Sequence, residues 1–401
     1  MLALSKVTIA LLYCFPFSAF AQQAASPAQI AAPEKRPSAL APSDQRRITI
    51  DVVVTDRKGD SVPGLQQQDF TILDNKQPQK IVSFRAVDRP NAAVDLKQQA
   101  IVLVDAINTS FRNVAFQRVQ LESFLRQDGG ELPMPMSLFF LSDRFKDQTA
   151  VTRDGNVLAD ALNSIQTSLR ITRAQGRRLD LDRADAYFYG DLELCHLSLD
   201  ALEDLISHES AQQGRKLLIW LGPGWPLLPN SEVRLSPKSR DALFYNLVRV
   251  STALREARVT LYNINPLITE VSPLGWDDGR GQAVVSDDSA IAEHVKPFLP
   301  DYYKNFLKGV DSANKVLIGN LALQVLAEQS GGQVINSTND IARSIASCLE
   351  DARSFYTLSF DSPVAGHSNE YHSLQVKIGK PGFTGRTRTG YYSQIFNAHG
   401  N

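Results

Sequence analysis

The chain has 401 residues, 43% of them hydrophobic and 21% charged, with a formal net charge of −1 at neutral pH. That length points to about two domains, and the composition is that of a globular protein rather than a disordered or fibrous one. A charge so close to zero supplies no basic field, which argues against a nucleic-acid partner.

Residues 1–21 read as a secretory signal. Lys6 precedes the apolar run VTIALLYCFPF (7–17), and Ala19-Phe20-Ala21 is a small-residue cleavage pattern. The run is too short to span a bilayer and Pro16 interrupts it; no later segment reaches the ~18 apolar residues that a span requires. Tyr13 stands where lipidation of Cys14 would need a small residue. The expectation is an exported protein, periplasmic or secreted, cut near Ala21, with no membrane span in the mature chain. Residues 22–45, rich in Ala, Gln, Pro and Ser, bury too little to offset the entropy of ordering, and read as a flexible linker.

Residues 46–98 have β patterning. ITIDVVVT (48–55) alternates in its first half, DRKG (56–59) is a turn, and short strands are expected at 70–73 and 80–84, joined through Asp74-Asn75-Lys76. From residue 99 short apolar runs alternate with helical patterns, the signature of a parallel sheet with crossover helices. Strands are expected at 100–104, 136–141, 216–221, 259–264 and 333–335. Helices are expected over 111–126, after a cap at Asp154, along the stripe Leu194, Leu197, Ala201 and Leu205, over 316–329 with Gly331-Gly332 as its C-terminal cap, and over about 340–352. Two stretches, 166–191 and 266–312, are long for loops. The tail returns to β patterning at 354–360, 371–378 and 385–392, so the two ends are expected to pack together as one β-sandwich.

Several segments, in order, resemble the von Willebrand factor type A group, and more narrowly the von Willebrand factor type A-related acidobacterial domain proteins. They are VTDRKGDSVPGL (54–65) with Asp69-Phe70, VDAINT (104–109), GRKLLIWLG (214–222), LAEQSGG (326–332) and GYY (390–392). The resemblance covers roughly 46–393. It implies an α/β fold: a doubly wound, mostly parallel sheet over 99–352, with an accessory β-sandwich formed from 46–98 and 353–395. It also implies a divalent-cation site beyond the carboxyl ends of the strands. The family's ligands there are an Asp-x-Ser-x-Ser run, a threonine from a second loop and an aspartate from a third, completed by a carboxylate of the partner protein.

Matched residue by residue, Asp105 takes the aspartate position, Ile107 the first serine position and Thr109 the second. The third-loop aspartate should follow 216–221, where the chain reads Gly222-Pro-Gly-Trp-Pro226. Thr167 and Thr172 are the candidates for the second loop. Asp105 and Thr109 thus remain as metal ligands, and one carboxylate with a neutral oxygen holds a hard cation weakly. The expectation is a degenerate cation site in a non-catalytic interaction module; the alternative is a true Mg, Mn or Ca-dependent adhesion module. Asp105 also reads as a strand-end residue that caps the helix at Phe111 or binds backbone N–H groups.

An unidentified protein partner is expected at the upper rim of the sheet, through Asp105, Asn108, Thr109, Asp143, Arg144, Trp225 and Asn265. Trp225 reads equally as an anchor for a partner or as packing for a loop, while Trp220 reads as core. Cys195 and Cys348 form an even pair that an oxidising compartment would allow to bond, and two separate buried thiols is the other reading. His367 and His372 read as surface polarity in the tail. Asp180, Asp182 and Asp185 open like a Ca²⁺ loop without its glycine and glutamate, and Arg170, Arg173, Arg177 and Arg178 read as a solvated basic cluster. A periplasmic or cell-surface hydrolase is a third alternative, but no G-x-S-x-G, H-E-x-x-H or P-loop run supports it, and no resident cofactor is expected.

Overall fold

The computed structural model describes residues 46–88, 98–109, 111–142, 146–164, 183–225, 236–266 and 301–393. The expected signal and linker, Asp143, Arg144, Thr167, Thr172, the 170–178 arginines, Asp180 and Asp182 lie outside the described residues.

Four strands come first: β1 (Arg47–Thr55), β2 (Phe70–Asp74), β3 (Gln77–Gln79) and β4 (Ser83–Asp88). The α/β segment follows as β5 (Gln99–Asp105), α1 (Phe111–Leu125), β6 (Glu131–Leu141), β7 (Lys146–Gln148), β8 (Thr152–Asp154), α2 (Gly155–Ser164), α3 (Arg183–Ser210), β9 (Lys216–Leu221), α4 (Pro237–Glu256), β10 (Val259–Pro266), α5 (Leu323–Gln329), β11 (Val334–Thr338) and α6 (Ile341–Glu350). The chain closes with β12 (Ser354–Asp361), β13 (Glu370–Ile378), β14 (Thr384–Arg386) and β15 (Gly390–Ser393).

The central sheet has the order β11-β10-β9-β5-β6-β7, with β8 also paired to β6. β11, β10, β9, β5 and β6 run parallel, and β7 and β8 pair antiparallel with β6. Its strands are apolar on both sides because helices cover both faces. Leu103, Leu218, Trp220 and Leu261 meet α3, α4 and α5 on one face. Val102, Phe140, Ile219 and Tyr262 meet α1, α2 and α6 on the other. From β5 the chain steps outward to β6, and from β9 it steps the opposite way to β10 and β11. The strand order therefore reverses between β5 and β9, and their carboxyl ends flank the crevice where such sheets bind ligands.

The two ends of the described chain make two four-stranded antiparallel sheets, β14-β1-β12-β4 and β15-β13-β2-β3. Their inner faces enclose Ile50, Val52, Phe70, Ile72, Leu358, Phe360 and Val376. Alternate residues of β1, β12 and β4 face outward, where Val53, Phe355 and Val87 form a small apolar cluster. This outer face meets the base of the α/β layer: the Arg215 guanidinium lies 4.5 Å from the centre of the Phe355 ring.

Helix signals behave as local chemistry dictates. Asp154 Oδ1 accepts from the N–H groups of Asn156 and Val157 at 2.9 and 3.3 Å and starts α2. Gly331, at φ +92°, ends α5, with Gly332 N–H donating to Ala327 O at 3.0 Å. Three expectations change. The 74–76 turn joins β2 to β3, with Asn75 and Lys76 at φ +47° and +67°, rather than leading to 80–84; β4 begins at Ser83 and belongs to the other sheet. The 316–329 helix is helical only as α5. Upstream of it Asn320 accepts from Leu317 N–H at 2.8 Å and donates to Phe306 O at 3.1 Å, which holds the backbone in 3₁₀ turns. The 385–392 strand is two strands that switch sheets, with Thr389 N–H drawn to Gln329 O at 3.1 Å between them.

Candidate functional site

Asp105 ends β5 at the strand-order reversal and is 0% exposed. Its Oδ1 accepts from the N–H groups of Ile107 and Asn108 at 3.0 and 3.1 Å. Its Oδ2 accepts from Asn108 Nδ2 at 2.7 Å and from Trp220 Nε1 at 2.8 Å. A carboxylate offers about four lone-pair positions, so the four donors use the whole set. Burial pushes this carboxyl above its ordinary range, while the hydrogen bonds from Asn108, Trp220 and the two backbone amides pull the other way.

The neighbouring loop is shaped around this carboxylate. Gly222 follows β9 at φ +140°, and a Cβ there would come within 3.0 Å of Asp105 Cβ. Its carbonyl accepts from Asn263 Nδ2 at 2.8 Å, and Pro223 O accepts from Gln324 Nε2 at 2.6 Å. Gln324 also donates to Asn263 Oδ1 at 3.3 Å. Asn108 Nδ2 reaches Ser198 Oγ on α3 at 2.9 Å. Asn263, Gln324 and Ser198 support the loops beside Asp105 and were passed over by sequence reasoning. The signal was there for Asn263, an amide inside the apolar run VTLYNI; Ser198 and Gln324 sit in helical patterns that read simply as core-facing stripes.

The expected site residues divide sharply. Asp105 and Asn108 meet. Ile107 is partly buried and packs against the core on the α3, α4 and α5 face of the sheet. Thr109 Oγ1 accepts from Asn113 Nδ2 at 3.1 Å, at the start of α1. Trp225 is corrected from rim anchor to core: it is 2% exposed, its Nε1 donates to Leu321 O at 3.0 Å, and its ring meets Trp220 edge-on at 5.5 Å. Asn265 and Asp105 are likewise buried rather than presented to a partner. The disulfide expectation also falls. Cys195 and Cys348 are both free, and they lie in the cores on opposite faces of the central sheet. Among the described residues, no group of three or more His, Cys, Asp or Glu side chains is arranged to hold a metal ion.

His372 is corrected from surface polarity to a buried pair. It is 3% exposed, its Nδ1 donates to Asp74 at 2.9 Å, and Tyr391 Oη donates to the same carboxylate at 2.7 Å. Burial presses the imidazole pKa down, but the Asp74 hydrogen bond and charge, with Glu370, outweigh it and the pKa is raised. His367 is exposed, as expected.

No family model matches the chain, and no curated protein matches it. Among solved structures, the pilus adhesin SpaC from Lactobacillus rhamnosus GG is similar over 82% of this chain and 49% of its own, at 10% identity and a TM-score of 0.27. The chain thus spans about half the length of that adhesin. No helix among the described residues is long and apolar enough to cross a membrane.

Proposed function

We propose that the chain is an exported, non-catalytic interaction module of the von Willebrand factor type A kind, with a degenerate cation site and a partner that docks without metal. One observation carries the reading: the Asp105 carboxylate lies at the switch point of the sheet, but all its acceptor capacity is spent on protein donors. A cation would have to displace charge-assisted hydrogen bonds worth about 1.5–3 kcal/mol each. Hard cations also want several oxygens around them. Ile107 brings none from its side chain, and residues 222–225 bring no carboxylate. The residues present therefore do not fit Mg²⁺ or Ca²⁺.

The non-catalytic part of the reading is supported by the His372–Asp74–Tyr391 cluster. It is sealed inside the sandwich, where a substrate has no approach. Metal-dependent adhesion and hydrolysis remain the competing readings. One experiment separates the proposal from the metal-dependent reading: the native envelope is passed over the immobilised chain, with and without EDTA. The proposal expects one protein to be retained equally in both, and lost when Thr109→Arg alters the loop after Asp105. Retention abolished by EDTA would replace it with the metal-dependent reading.

A further inference from the structure

At the end of the central sheet opposite Asp105, three adjacent strands begin in register: Gln99 of β5 pairs with Lys216 of β9, which pairs with Val259 of β10. The residues just before them, Gln98, Arg215 and Arg258, are thereby placed side by side. The outer face of the sandwich closes over this row. There Asp51, Thr357 and Arg85 lie across β1, β12 and β4 in cross-strand register. Between the two surfaces is a cavity of about 230 Å³ lined by Arg85, Arg215, Arg258, Gln98, Gln213 and Phe355.

Among the described residues, the lining has three guanidinium groups and no carboxylate. Asp51 serves two of these arginines. Its Oδ1 accepts from Arg258 Nη2 at 2.6 Å, and its Oδ2 is 4.0 Å from Arg215 Nε. Arg215 is 2% exposed and also donates to Asp351 O at 2.7 Å, yet among the described residues its Nε has no hydrogen-bond partner; nor does Arg258 Nε. A buried guanidinium N–H left without an acceptor is costly. Arg258 moreover holds φ +53°, a conformation that glycine takes without strain. The position thus bears a backbone cost and keeps a long cationic side chain. Planar guanidinium forks match the geometry of carboxylate and phosphate oxygens.

We infer that this cavity is a binding site for a small oxyanion, a carboxylate or a phosphate, held by Arg85, Arg215 and Arg258 at the junction of the sandwich with the α/β layer. The inference uses none of the residues near Asp105 and stands whether or not the proposed interaction function holds. The full chain is titrated by calorimetry with inorganic phosphate and, separately, with succinate, each against chloride at matched ionic strength, since screening alone mimics weak anion effects. Saturable binding with Kd on the order of 1 mM or tighter is expected for at least one. The one that saturates names the oxyanion class. Arg85→Glu inverts an exposed charge and should weaken that binding at least tenfold in a chain that still melts cooperatively in chloride. If Arg85→Glu disturbs folding, Gln213→Ala supplies the same comparison with a smaller loss. No saturation by either anion, or binding that survives in a folded Arg85→Glu chain, overturns the assignment.

Discussion

The indole N–H of Trp220 reaches across from β9 to donate to the Asp105 carboxylate at 2.8 Å, and both side chains are fully buried. The pair joins the two strands between which the sheet order reverses. Trp220→Phe keeps an aromatic side chain but deletes the N–H donor and the second ring, leaving Oδ2 with Asn108 alone and a small void beside it. A loss of about 1–3 kcal/mol is expected, the cost of an unsatisfied buried group, read as a lower urea midpoint with unchanged slope.

Gly222 tests the fit of the neighbouring loop. An alanine there must hold φ +140° with its Cβ 3.0 Å from Asp105 Cβ. Gly222→Ala is expected to destabilise by about 1–3 kcal/mol through strained backbone and crowding together. An urea curve indistinguishable from wild type would show that the loop relaxes freely.

Divalent cations are expected to leave the fold alone. Anything bound to the native state raises its stability by mass action. Melting in EDTA and in excess Mg²⁺ or Mn²⁺ should therefore coincide, in the native chain and in Asp105→Ala alike. A cation-dependent rise that Asp105→Ala removes would restore the metal-dependent module.

His372 gives the sandwich a pH dependence. Its folded pKa is raised above the ordinary value of 6.5. The stabilisation from protonated His372 beside Asp74 is fully present below pH 6.5 and is lost as pH rises through the folded value. Chemical denaturation from pH 5 upward should show that decline, and His372→Gln should flatten it. A slope that persists in the variant would assign it elsewhere.

The two core cysteines should be inert until the chain unfolds. Burial pushes the Cys195 thiol up to about 12, and raises that of Cys348 as well. The thiolate is the reactive form. Peptide mapping after treatment with a thiol reagent is expected to find neither residue labelled in the native chain, and both labelled in denaturant.

Much of the fold was legible because its strands are buried on two sides and so appear as uninterrupted apolar runs. The 216–221 run matches β9 to the residue, and 259–264 falls short of β10 only at Asn265 and Pro266. What failed was local structure set by distant partners. Phe306 and Leu317 hold Asn320, so a helical pattern became 3₁₀ turns. The aspartate at the switch point was legible too, as was the absence of a carboxylate after Trp220. Its true partner was not: Trp220 is 115 residues away in sequence, and nothing in an apolar strand shows where an indole N–H points. Trp225 misled for the opposite reason. A glycine-proline loop reads as surface, but Leu321 supplies a buried acceptor that draws its ring inward.

The pairing of Arg47 with Asp361 spans 314 residues. Both sheet neighbours of β1, namely β12 and β14, belong to the last part of the described chain. During synthesis at about 5–20 residues per second, β1 therefore waits roughly 15–60 s before its first partner is made. The strands of the α/β layer have no such wait, since all of them lie between β5 and β11. A product halted after α6 would have the material for that layer but would display β1 as an open edge, a ready template for pairing with another chain. Closure of the sandwich thus waits on distant strands, because a chain hides that edge only once β12 and β14 have been made.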